Sequence, residues 1–218
     1  MNICSKSLKT AASFLCEKEN EPTELKSSMD CNDSELASLL IQLTVVRNKR
    51  CKNRSVKLLS QLSQSTPESV IPHWDRLLLL VSCESNIVSW NAMKALGYLA
   101  HLKTPADLQK CLPVLIQKLQ DKSMVTISHA ISCMGKFAFE APDLRNQIFT
   151  KLLKLKNYSP SNDCELVLAG KVIKAAIPIS NALPRELKNT LRDFVNDYKS
   201  CPRKTTVNVA LKLYKNLD

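Results

Sequence analysis

Nine cysteines and three histidines are the residues in this sequence best suited to nucleophilic, acid-base or zinc chemistry. The cysteines stand at 4, 16, 31, 51, 83, 111, 133, 164 and 201, and no two form a CxxC pair. An odd count with loose spacing fits neither a disulfide framework nor a zinc site. Cys83, Cys111, Cys133 and Cys164 therefore read as small buried hydrophobes in a reducing compartment. His73, His101 and His129 are each followed by a residue other than Glu. No GxSxG elbow, HExxH pair or kinase-like set occurs. The three glycines, Gly97, Gly135 and Gly170, lie 38 and 35 residues apart and cannot build a GxGxxG or GxxxxGK phosphate loop. The sequence thus predicts no catalytic residue, no bound metal and no cofactor.

What remains is charge. Lys and Arg number 31 against 20 Asp and Glu in 218 residues, a net of +11. Residues 1–33 hold four lysines against six acids, so residues 34–218 carry 27 basic and 14 acidic side chains. Arg47, Lys49, Arg50, Lys52, Arg54 and Lys57 place six basic residues in eleven.

The elements that position these residues follow from an internal period. Proline recurs at a helix-start context in Thr66-Pro67-Glu68, Thr104-Pro105-Ala106-Asp107, Ala141-Pro142-Asp143 and Leu183-Pro184-Arg185-Glu186, spaced 38, 37 and 42 apart. Proline at the first helical position loses no hydrogen bond, and an acid there meets the positive end of the helix dipole. A second signal runs in phase with it: Ala92-Met93-Lys94-Ala95-Leu96-Gly97-Tyr98-Leu99 matches Ala130-Ile131-Ser132-Cys133-Met134-Gly135-Lys136-Phe137. Its small-residue slot recurs at Ser60, Gly97, Gly135 and Gly170. A fifth slot lies at Ala210 or Leu211, and Leu211 is preferred because it buries Ala210 and Leu213 and exposes Lys212. Apolar residues between these signals keep a helical period, as in Leu36, Leu39, Leu40, Leu43 and Val46.

The fold class is therefore all-α, an α-α superhelix of about five helical hairpins. The helix pairs, A then B, are predicted near 35–48 and 53–64, 67–82 and 87–101, 105–120 and 124–139, 143–156 and 163–177, and 185–199 and 204–216. Such small pairs must stack on their neighbours to bury an apolar face. The repeats run about 34–65, 66–103, 104–140, 141–182 and 183–218. Residues 1–33 are expected as a polar, flexible N-terminal tail with a short helix from Ser5 to Lys18. Pro72 and Pro113 fall inside A helices and should kink them. Glycine at one helical register implies close helix packing, since each costs about 1 kcal/mol against alanine.

Val88, Ala92 and Leu96-Gly97 resemble the second helix of the HEAT repeat, and the likeness extends over about residues 34–218. Two departures are Ser89, where that family usually has Arg, and an inter-helix Asp that is clear only at Asp121. Trp90-Asn91-Ala92 with Ala141-Pro142-Asp143-Leu144 also looks like a group of small HEAT-like proteins without assigned activity, from which no functional residue transfers. Metal-binding HEAT enzymes of the deoxyhypusine hydroxylase type carry His-Glu pairs, which are absent here. Resemblance to helical-repeat glycosylases of alkylation repair would cast Trp74, Trp90, Tyr98 and Asp75 in base-stacking and acid roles. Both tryptophans are better suited to anchoring inter-repeat packing than to stacking on a base.

In HEAT-like solenoids the B helices line the concave side. With the slot as zero, positions −3, +1 and +4 share one helix face. They read Lys57, Gln61, Gln64; Lys94, Tyr98, His101; Ser132, Lys136, Phe139; Val167, Lys171, Lys174; and Asn208, Lys212, Lys215. Each set contains a lysine and none an acid, whereas a merely solvated face mixes signs. The expected partner-binding residues are Lys57, Lys94, Tyr98, His101, Lys136, Lys171, Lys174, Lys212 and Lys215. Arg47, Lys49, Arg50, Lys52 and Arg54 add a basic cluster at the first inter-helix turn. The expected function is a non-enzymatic scaffold that takes an acidic protein segment into a basic concave groove. The alternative is backbone contact to DNA or RNA, for which stacking aromatics are few. No apolar run approaches the roughly 18 residues of a membrane span. The expected location is cytoplasmic, or nuclear in a eukaryote, and not secreted.

Overall fold

The computed structural model describes residues 5–17, 24–157 and 159–217. Among them all regular structure is helical and no strand occurs. The chain divides into two compact units, Met1–Leu102 and Lys103–Asp218.

The first unit contains α1 (Ser5–Cys16), α2 (Leu25–Met29), α3 (Asp33–Leu43) and α4 (Lys49–Ser65). It continues with α5 (Pro67–Val70), a 3-10 turn at Ile71–His73, α6 (Trp74–Val81), α7 (Asn86–Leu99) and a 3-10 turn at Ala100–Leu102. A capping box starts α3: Glu35 N–H donates to Asn32 Oδ1 at 2.9 Å while Asn32 N–H donates to Glu35 Oε2 at 3.1 Å. The helix stops at Leu43, earlier than the periodicity through Val46 predicts. There the Thr44 hydroxyl bonds the Ile41 carbonyl at 2.7 Å, and Asn48 then caps a new helix by accepting from Cys51 N–H at 3.0 Å. As a result α4 begins four residues before the predicted start. Pro72 has the predicted effect in strong form, since the helix gives way to the 3-10 turn there and resumes at Trp74.

The core of this unit lies where its A and B helices pack together. α4 packs on α7, α3 on α4 and α6 on α7, and Leu40, Leu59, Leu77, Met93 and Leu96 on these helices are fully buried. The stretch expected as a tail contributes α1 and α2 to this unit. α1 packs on α3 and α4 and buries Ala11 and Leu15 completely.

The second unit contains α8 (Pro105–Lys118), α9 (Met124–Glu140), a 3-10 turn at Pro142–Leu144 and α10 (Arg145–Leu152). After a 3-10 turn at Leu155–Asn157 come α11 (Asn162–Ala176), a 3-10 segment at Ile177–Ala182, α12 (Arg185–Tyr198) and α13 (Lys204–Leu217). Thr104, Ser123 and Ser161 cap α8, α9 and α11 through their hydroxyls. α8 runs through Pro113 without interruption. Pro113 and Gln109, whose carbonyl loses its i+4 partner, both face solvent, so water can serve that carbonyl.

In this unit α8 packs on α9, α9 on α11, α11 on α13 and α12 on α13. The glycine register explains itself at two contacts. A Cβ on Gly135 would lie 2.6 Å from the Ala175 Cβ, and one on Gly170 would lie 2.8 Å from Thr206 Oγ1. Thr206 Oγ1 is itself fixed by a 2.7 Å bond to the Leu166 carbonyl. The slot is thus where one B helix meets the next. At α13 no described helix follows, and Leu211 is 46% exposed while Ala210 and Leu213 are buried. Arg145 ties the unit together, donating to the Ala138 carbonyl at 2.9 Å and the Ala182 carbonyl at 3.3 Å.

Candidate interaction face

Lys57, Gln61 and Gln64 on α4 are all exposed, and so are Lys94 on α7 and His101 in the turn after it. Tyr98 is half-buried beside them. His101 Nδ1 lies 2.9 Å from the Tyr98 carbonyl oxygen and so holds the end of α7. Because α4 packs directly on α7, the first unit carries Lys57 and Lys94 on adjacent helices.

In the second unit Ser132 and Phe139 on α9, Lys171 and Lys174 on α11, and Asn208, Lys212 and Lys215 on α13 are exposed. Phe139 is a large apolar side chain with 51% of its surface open. Lys136 and Val167 are half-buried. The rows are not level across the stack. Gly135 faces Ala175, five residues after Gly170, whereas Gly170 faces Thr206, five residues before Leu211. At 1.5 Å per residue, α11 is displaced along its axis by about 7 Å relative to α9 and α13. Equal phase in sequence therefore does not give equal height in space.

Among the described residues the ion pairs Lys26–Asp33 (2.7 Å), Lys110–Asp107 (3.7 Å) and Lys156–Asp197 (3.3 Å) lie elsewhere. None of them uses Lys57, Lys94, Lys171, Lys174, Lys212 or Lys215.

The basic cluster is placed differently from the sequence expectation. Only Arg47 sits in the inter-helix turn; Lys49, Arg50, Lys52 and Arg54 lie in the first turns of α4. Cations at a helix N-terminus oppose the dipole. Here they meet the negative end of another helix: Arg50 Nη1 donates to the Cys16 carbonyl at 3.1 Å, and Arg54 Nη1 to the Glu17 carbonyl at 2.7 Å and the Leu15 carbonyl at 3.4 Å. Two of the five cluster residues therefore cap α1. The sequence signal for this was the run itself, a basic helix start with no acid in its first turn.

Cys111 and Cys133 are buried, as expected, while Cys83 and Cys164 are half-buried. Burial, reinforced by nearby Cys16, pushes the Cys51 thiol up to about 11, and burial pushes the Cys133 thiol up further. Both are poor nucleophiles near neutral pH. His73 Nε2 lies 3.2 Å from Ser38 Oγ, and burial lowers its pKa. Trp74 is buried in the core at the start of α6 and is closed to a stacking base, while Asp75 is exposed. Tyr198, also buried, donates to Glu165 Oε1 at 2.6 Å, an α12-to-α11 link that no sequence pattern announced. No group of three or more His, Cys, Asp or Glu that could hold a metal occurs among the described residues. Nor is any described helix long and apolar enough to cross a membrane.

No family model matches the sequence, and no curated protein matches it. Solved structures do. A designed armadillo repeat protein in complex with peptide (KR)4 superposes with TM-score 0.63 at 16% identity, over 97% of this chain and 99% of that one. Computationally designed armadillo repeat proteins for modular peptide recognition give 0.63 at 17% identity, over 97% and 92%. An armadillo-repeats-only protein from Plasmodium falciparum gives 0.60 at 12% identity, over the full length of both chains. Together with the hairpin order and the slot contacts, these likenesses identify the fold as an armadillo/HEAT-like helical repeat.

Proposed function

We propose that this protein is a non-enzymatic interaction scaffold that binds an acidic segment of a partner protein along its B helices. The observation that carries this reading is the recurrence of exposed lysine, without any acid, at one phase of α4, α7, α11 and α13, with half-buried Lys136 on α9. Solvent-exposed lysines on neighbouring helices raise a positive potential that attracts carboxylates and costs stability through mutual repulsion when nothing binds. Two of the structural neighbours are described as peptide binders, one holding the peptide (KR)4. The present chain carries exposed lysine on its B helices, so charge complementarity calls for an acidic peptide. A cytoplasmic location fits the eight free thiols among the described residues.

A phosphate backbone is the alternative anion. Against it stand the few stacking groups on the face, half-buried Tyr98 and exposed Phe139. The test is capture of partners from source lysate with and without nuclease. Retention of a protein partner after nuclease supports the scaffold reading, and loss of all partners with nuclease overturns it in favour of nucleic acid.

A further inference from the structure

An open cavity of about 510 Å³ lies between α2, α3 and α4 of the first unit. Its floor is Leu36 on α3 with Leu58 and Leu62 on α4, and its rim carries Gln61, Gln64 and Lys26. Leu36 and Leu58 are buried, Leu62 is half-buried, and the three rim residues are exposed. Leu58 and Leu62 are one turn apart and so present a continuous apolar strip. Leucines beside open space lack part of the contact that a closed core supplies. The volume falls in the range of small-ligand sites, about 300–1,000 Å³, and suits one or two side chains.

The charges around this cavity are unevenly spent. Lys26 is paired with Asp33 at 2.7 Å, and Glu35 is held in the α3 capping box. On the same face of α4 as Gln61, Lys57 lies exposed one turn earlier, and Lys94 is exposed on α7, the helix packed against α4. Gln61 and Gln64 belong both to the cavity rim and to the lysine-bearing phase of α4.

We propose that the cavity seats one aliphatic or aromatic side chain of the partner's acidic segment, with the carboxylates that adjoin that residue facing Lys57 and Lys94. This deepens the reading given above and rests on it: the partner motif is an apolar anchor flanked on one side by acids, not a uniformly acidic stretch.

The test uses the full chain and two labelled peptides of equal length and charge. One is built of Glu and Ser; the other replaces a single Ser by Leu. Fluorescence anisotropy should show the Leu peptide binding about tenfold tighter or more, the range expected from burying one leucine side chain. That gain should persist in high salt, where the charge contribution fades. It should vanish in Leu62→Gln, a half-exposed position whose helicity is checked by circular dichroism. Leu36→Met, which keeps an apolar floor, should retain it. Equal affinity of the two peptides for the wild type overturns the cavity proposal and leaves the charge reading standing. A Leu gain that survives Leu62→Gln also overturns it. Binding of neither peptide, or tighter binding of a single-stranded oligonucleotide than of either, overturns both.

Discussion

Replacing Gly135 by alanine puts the slot reading at risk in the most direct way. A Cβ there would sit 2.6 Å from the Ala175 Cβ, about 1 Å inside the usual carbon-carbon contact of about 3.5–4.0 Å. Neither atom is the end of a flexible chain, so α9 and α11 must move apart. Overpacking of this kind costs about 1–3 kcal/mol, while alanine in place of glycine inside a helix gains about 1 kcal/mol. The net expectation is destabilisation by about 1 kcal/mol. Ala175→Gly should itself cost about 1 kcal/mol through propensity. In the double variant the overlap disappears, so the two changes should be non-additive, with a coupling of about 1–3 kcal/mol in favour of the pair. Urea denaturation followed by circular dichroism measures all four species of the cycle. A Gly135→Ala protein that is more stable than the parent by about 1 kcal/mol, with strict additivity toward Ala175→Gly, would refute the close-packing explanation of the glycine register.

The Arg54→Ala variant, alone or with Arg50→Ala, should uncap α1. Amide hydrogen exchange across residues 5–16 should accelerate, each arginine removed from the helix end costing about 1 kcal/mol, and unchanged exchange would remove these arginines from that role. Tyr198→Phe should destabilise the second unit by about 1.5–3 kcal/mol, the scale of a hydrogen bond to a charged group; a thermal midpoint matching the parent would contradict it. His73 is held neutral by burial, below its ordinary value of 6.5. As pH falls the unfolded chain takes up this proton first, so stability is complete above about 6.5 and is lost progressively below that until the folded-state imidazole protonates. The urea midpoint should drop between pH 7.5 and 5 more in the parent than in His73→Gln, and parallel pH profiles would exclude the histidine as the cause.

Much of the architecture was legible because helix starts and B-helix slots are local signals. Pro67 and Pro105 mark first helical positions, and Thr104 caps as its type suggests. Gly135 and Gly170 stand where backbones approach. The boundary between α3 and α4 was misread because Val46 continues an apolar period that the Thr44 turn and the Asn48 cap override. α1 also lies against the start of α4, a long-range contact that no local signal in the sequence takes into account. The same omission misplaced the basic cluster, because the carbonyls that engage Arg50 and Arg54 lie more than thirty residues away in sequence. The phase of the lysines was readable, but their relative heights were not. The offset of α11 is seen only in which residues face each slot, Ala175 against Gly135 and Thr206 against Gly170. The cavity was unreadable for a similar reason, since Leu36, Leu58 and Leu62 look like any other core leucines until the helices around them are in place.

Recognition of acidic protein segments by the lysine phase of the B helices is the proposal most open to direct test. Its most direct measurement is anisotropy of a labelled glutamate-rich peptide against the parent chain and against Lys94→Glu, Lys136→Glu, Lys171→Glu in one protein, each over a salt series. The parent should bind with an affinity that falls steeply with salt, and the triple variant should bind about tenfold more weakly, or worse, at low salt while keeping its helical spectrum. Equal affinity of the parent and the charge-reversed protein for the acidic peptide, or no binding by the parent, would contradict it.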